Sequence, residues 1–147
     1  MDNTILNSVK TTRVMNAVAA GTTLQTGTTL DMQGFEGVMF TALFGTLTAS
    51  AVTGIKVQQG SASDMSDAAD LLGSALAIPE ADNNKMLITE IYKPTKRYVR
   101  CLVTRGTANA VIDGVIAQQF GARVEPPVNG TTVSGSEYSI SPAEGTA

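Results

Sequence analysis

Hydrophobic positions between residues 10 and 120 come in short bursts rich in Val, Ile, Thr, Phe and Tyr, separated by Gly, Asn, Asp and Ser. That punctuation is the pattern of strands and turns. TGIKVQQG (53–60) alternates Ile55 and Val57 with Lys56 and Gln58, as a strand does when one face meets a core and the other meets water. GVMFTALFG (37–45) is apolar on both alternating faces and predicts a central strand covered on both sides. TTRVMNAV (11–18), NKMLITEIYK (84–93), KRYVRCLVT (96–104) and NAVIDGVIAQQF (109–120) predict further strands, and AAGTTLQTGTT has room for one or two short ones. A surface excursion, SASDMSDAADLLGSALAIPEADN, interrupts the series; in it Asp67 can cap a single helical turn through Leu72 before Gly73 and Pro79 forbid a longer helix. About seven or eight strands without a strand–helix rhythm predict an all-β fold, an antiparallel β-sandwich. An immunoglobulin-type sandwich favours a buried Trp and a Cys pair, and this chain has no Trp and one Cys. A jelly-roll-like sandwich is therefore expected.

The pattern changes after residue 120. GARVEPPVNGTTVSGSEYSISPAEGTA (121–147) is rich in Pro, Gly, Ser and Thr, and its larger apolar residues, Val124, Val128, Val133, Tyr138 and Ile140, are widely scattered. Ordering each residue costs about 1–2 kcal/mol of backbone entropy, and such a segment has little internal burial to offset that. The chain thus divides into a short N-terminal extension (1–9), a β-sandwich body (10–120) and an extended C-terminal arm (121–147).

Composition narrows the class. With 147 residues, 43% hydrophobic and 16% charged, the chain fits one globular domain whose core is built from Val, Ile, Leu, Ala and Met. A net charge of −3 argues against a nucleic-acid partner, because phosphate neutralisation needs a cationic excess. Charge is unevenly placed: Lys93, Lys96, Arg97, Arg100 and Arg105 crowd one segment, while Asp64, Asp67, Asp70, Glu80 and Asp82 crowd another. These are either solvated patches or complementary patches on neighbouring subunits. Cys101, alone in YVRCLV, reads as a buried inert thiol. The opening MDNTILNSVK lacks the apolar stretch of a secretion signal, and no apolar run approaches the roughly 20 residues that span a bilayer, so synthesis in the cytoplasm without a membrane partner is expected.

Catalytic constellations are missing. The chain has no His, which excludes a Ser–His–Asp triad, a Cys–His pair and the commonest metal ligand. No glycine pattern matches a phosphate-binding loop. Asp64, Asp67 and Asp70 in DMSDAAD do not follow an EF-hand spacing and read as solvated acids. Glu90 and Asp113 resemble a glycosidase carboxylate pair only if their strands are adjacent; Asp113 reads better as an ion-pair partner of Arg97 or Arg100. Asn129–Gly130 reads as a turn inside the arm. No catalytic residue, metal ligand or cofactor is assigned, and a structural binding module is expected.

The segment from residue 96 to 147, with RYVR, RGTANAVIDGVIA, ARVEPPV and the closing SPAEGTA as its most specific pieces, resembles the C-terminal part of a family of small head decoration or cement proteins of tailed bacteriophages and prophages. The resemblance covers about a third of the chain. It implies a jelly roll on the outer surface of the capsid, partnered by the major capsid protein and by further copies of itself, as a dimer or trimer. It also implies a use for the arm: fully extended, 121–147 spans on the order of 90 Å, enough to reach across a subunit boundary. The residues expected to touch partners are Lys93, Lys96, Arg97 and Arg105 in the basic segment and Val124, Pro126, Pro127, Val133, Tyr138 and Ile140 in the arm. The alternatives are another virion component of the tail or neck, or a carbohydrate-binding jelly roll.

Overall fold

The computed structural model describes residues 4–141 and 143–146, so residues 1–3 of the N-terminal extension, and Pro142 and Ala147 of the arm, lie outside the described residues. After one helical turn, α1 (Ile5–Ser8), the chain runs through β1 (Lys10–Met15), β2 (Val18–Gly21), β3 (Gln25–Thr26), β4 (Leu30–Asp31), β5 (Gly37–Leu47), β6 (Val52–Gly60), β7 (Ala69–Asp70), β8 (Leu76–Ile78), β9 (Met86–Tyr92), β10 (Tyr98–Gly106) and β11 (Ala110–Phe120). All pairings among them are antiparallel.

Two sheets form. The first has the order β1-β11-β5-β9, with β2 continuing β1 along β11. The second has the order β3-β10-β6-β7, with β4 also on β10 and β8 also on β6. Pairing runs from the outside of the sequence inwards: β1 with β11, β3 and β4 with β10, β5 with β9, and β6 with β7 and β8. That wrapping of a folded-over hairpin is the jelly-roll order, with successive pairs alternating between the sheets.

Alternation decides which side chains fill the space between the sheets. Val38, Phe40, Ala42 and Phe44 of β5 point inward and are essentially solvent-free, as are Ile55 and Val57 of β6 and Val99, Cys101 and Val103 of β10. β5 is central, as its apolar run predicts, but Met39, Thr41 and Leu43 on its outer face are only half-buried. Cys101 is fully enclosed, and burial pushes its thiol pKa up to about 12, which leaves it inert.

The excursion between β6 and β9 differs from its predicted helical turn. Asp67 caps no helix. Its carboxylate accepts from the backbone N–H groups of Ser61 (2.8 Å) and Ala62 (3.1 Å), closing the turn out of β6. The chain then adds β7 and β8 to the free edge of β6, since short extended pieces there satisfy main-chain groups that a lone helical turn would leave open.

Asp113 also departs from expectation. β10 and β11 lie in opposite sheets, so Asp113 is not beside the basic strand. Arg97 pairs with Asp31 and Arg100 donates to Gln58 Oε1. The strands of Glu90 and Asp113 are separated by β5, so the two carboxylates do not form an adjacent pair. The register passes from Ile112↔Phe44 to Gly114↔Leu43, leaving Asp113 as the extra residue of a β-bulge with its side chain in solvent. Gly114 completes the bulge at φ +147, where a Cβ would lie 3.2 Å from the Met15 carbonyl oxygen.

Candidate interaction surface

The arm leaves β11 at Gly121 and turns back along the outer edge of β1. Arg123 N–H donates to Gly34 O (2.9 Å). Asn129 Oδ1 then accepts from Thr11 N–H (2.8 Å), and Thr132 Oγ1 accepts from Arg13 N–H (3.1 Å). Thr11 and Arg13 belong to β1, whose other edge is paired with β11, so the arm caps exposed main-chain donors without becoming a strand. The turn lies two residues later than the Asn-Gly pair suggests: Val133 N–H closes onto Gly130 O, while Asn129 serves as an anchor. Val133 reaches the outer face of the first sheet, lining a cavity of about 300 Å³ with Leu43, Gly114 and Ile116.

Beyond Val133, the hydrogen bond found among the described residues is a local one, from Ser139 Oγ to Glu137. Among the described residues the arm therefore has a proximal half hydrogen-bonded to its own body and a distal half without such a bond, although Gly135 and Ser136 line a cavity with Leu6 and Asn7. Both halves turn apolar side chains outward: Val124 is 79% exposed, Val128 83%, Tyr138 47% and Ile140 77%. Pro126 is exposed and Pro127 half-buried.

The basic residues separate. Lys93, Lys96 and Arg97 meet Arg123 around a cleft of about 380 Å³ at one end of the sandwich, floored by Phe35 and Pro94. Lys93 lies over the Tyr92 ring at 5.1 Å. Lys96 is 3.5 Å from Asp67, and Arg97 donates to Asp31 through Nε (2.9 Å) and Nη2 (2.8 Å). The Arg97 hydrogen bond holds the Asp31 carboxyl below the ordinary carboxylate range. Asp67 is held low chiefly by the Ser61 and Ala62 N–H groups, and Asp70 chiefly by Lys56. Much of the acidic stretch is thus met within the chain, by Lys96, Lys56 and Lys85.

Arg105, expected at a partner surface, is instead part of the fold. It is 8% exposed and donates to Thr23 O (2.9 Å), Ala19 O (2.9 Å) and Ala110 O (2.8 Å), tying the loop after β2 to the far end of the sandwich. Eight residue-to-residue steps along nearly extended chain, about 27 Å, separate it from Arg97, which just precedes β10. Arg123, Asn129 and Thr132 were not singled out by sequence; the Asn-Gly pair was the nearest signal.

A scan against protein-family models and a search of curated proteins find no match to this chain.

Proposed function

We propose that this protein is an auxiliary structural protein of a tailed-phage head, attached to the outside of the shell as a homo-oligomer and bridging coat subunits through its arm. The observation that carries the reading is the divided arm. Its proximal half is set in direction by Arg123, Asn129 and Thr132, and its distal half bears Tyr138 and Ile140 exposed, with no hydrogen bond to the body among the described residues. Direction without full burial suits a segment that docks on a neighbour, because part of the ordering entropy is already lost before contact. The resemblance of residues 96–147 to head decoration proteins supports reading that neighbour as the major capsid protein. Many symmetric copies then turn modest contacts into firm attachment.

Removing residues 134–147 leaves every strand and all three arm anchors in place. The truncated protein is expected to keep the far-ultraviolet circular dichroism of the full chain and to lose at least about tenfold in occupancy on purified phage heads, equivalent to roughly 1.4 kcal/mol. Full occupancy by the truncated protein would refute the clamp.

A further inference from the structure

The four lateral edges of the two sheets are not treated alike. On one side of the first sheet, β1 is capped by Asn129 and Thr132 of the arm. In the second sheet the edges are β3 and β4, of two residues each, and β7 and β8, of two and three. The remaining edge, β9, is seven residues long and pairs in unbroken register with β5 from Gly37↔Tyr92 to Leu43↔Met86. It contains no Pro and no bulge, and Glu90 is its one charged residue. Short strands, covers and charges are how sheets avoid pairing with another chain; β9 is not short, and among the described residues no hydrogen bond closes its outer edge.

The hydrogen-bond phase says which groups are free. Phe44 N–H donates to Lys85 O (3.0 Å) at one end of the ladder, and Lys93 N–H donates to Glu36 O (2.7 Å) at the other. In an antiparallel ladder alternate residues bond inward and outward. Leu87, Thr89 and Ile91 therefore bond to β5, and Met86, Ile88, Glu90 and Tyr92 direct their N–H and C=O groups at the open edge. The side chains of Met86, Ile88 and Tyr92 are 52%, 51% and 57% exposed on the sheet's outer face.

We infer that β9 is a dimerisation edge, pairing antiparallel with β9 of a second copy about a two-fold axis through Thr89. Thr89 is the midpoint of the strand, so this register pairs all four outward-bonding residues. Met86 lies opposite the second copy's Tyr92, Ile88 opposite Glu90, Leu87 opposite Ile91 and Thr89 opposite itself. The Met–Tyr pair joins a thioether to an aromatic ring, and Leu87 with Ile91 extends the apolar inner face across the axis. A second copy is the fitting occupant because it presents the same unpaired row in the complementary phase, as an isologous contact requires. The interface is small: a strand about 24 Å long in a sheet about 10 Å thick buries on the order of 500 Å² in total, below the roughly 1,200 Å² of stable complexes. The dimer is consequently reversible and concentration-dependent. This inference goes beyond the capsid reading and is decided on the free protein.

Sedimentation and amide hydrogen exchange on the full chain test it. At millimolar concentration the protein is expected to sediment as a dimer, with the amides of Ile88, Glu90 and Tyr92 slowing as concentration rises and those of Leu87, Thr89 and Ile91 slow throughout. Ile88→Pro removes one outward donor without touching the ladder to β5, and Ile88→Lys tests the same edge should the proline variant misfold. Both are expected to sediment as monomers. Thr89→Cys is expected to form an intermolecular disulfide on oxidation, since Cα atoms of a non-hydrogen-bonded pair stand about 4.5 Å apart, within disulfide range. Cys101 is fully buried and does not compete. A wild-type chain that stays monomeric at millimolar concentration would overturn the inference. So would a dimer that survives both Ile88 variants, or outward amides protected only on phage heads.

Discussion

Arg105 and Asp113 each carry a charge on an apolar strand, and the fold treats them oppositely. The β-bulge at Gly114 lifts Asp113 into solvent, so no partner is required. Arg105 stays inside and its guanidinium binds carbonyl oxygens of Ala19, Thr23 and Ala110. Arg105→Ala strands those acceptors and is expected to lower unfolding stability by about 2–3 kcal/mol. Arg105→Lys is expected to recover little, because an ammonium cannot reproduce the planar fork. Urea denaturation measures both, and a loss within the roughly 0.5 kcal/mol typical of surface sites would place the side chain outside the fold's support. Neither fate was legible in the sequence. Membership of a basic segment says nothing of which strand end a residue occupies, and a bulge hides inside VIDGVI as an ordinary alternation. Cys101 was legible because Val99 and Val103, two residues away on the same face of the strand, are apolar, and burial alone settles its chemistry.

Among the elements, β5, β6, β9, β10 and β11 match the apolar bursts closely, because each is long enough for alternation to show. β7 and β8 were missed for the converse reason: two or three residues carry no period, and their extended form comes from the unpaired edge of β6. The arm was visible as a composition change, but not its path, which depends on donors of β1 that only folding brings near. Replacing both Asn129 and Thr132 by Ala removes two such hydrogen bonds, worth about 2 kcal/mol together. The Thr11 and Arg13 amides are then expected to exchange roughly 30-fold faster, a factor that follows from the same energy. Unchanged exchange would mean that the arm does not protect this edge.

For the molecule as a whole, the two sheets make a jelly-roll-like sandwich, the basic cleft marks one end, and the arm leaves from that end along β1. The fold class was readable from the absence of helical period and of a Trp–Cys core signature; the clustering of Lys93, Lys96 and Arg97 around one cleft follows their closeness in sequence, whereas the separation of Arg105 from them does not show there. The decisive measurement is cryo-electron microscopy of the intact virion at side-chain resolution. The account predicts density for this chain on the shell exterior, with residues 134–141 lying on a neighbouring subunit and Tyr138 and Ile140 buried there. Heads without this chain, or an arm whose distal half stays on its own sandwich or disordered in the particle, would contradict it.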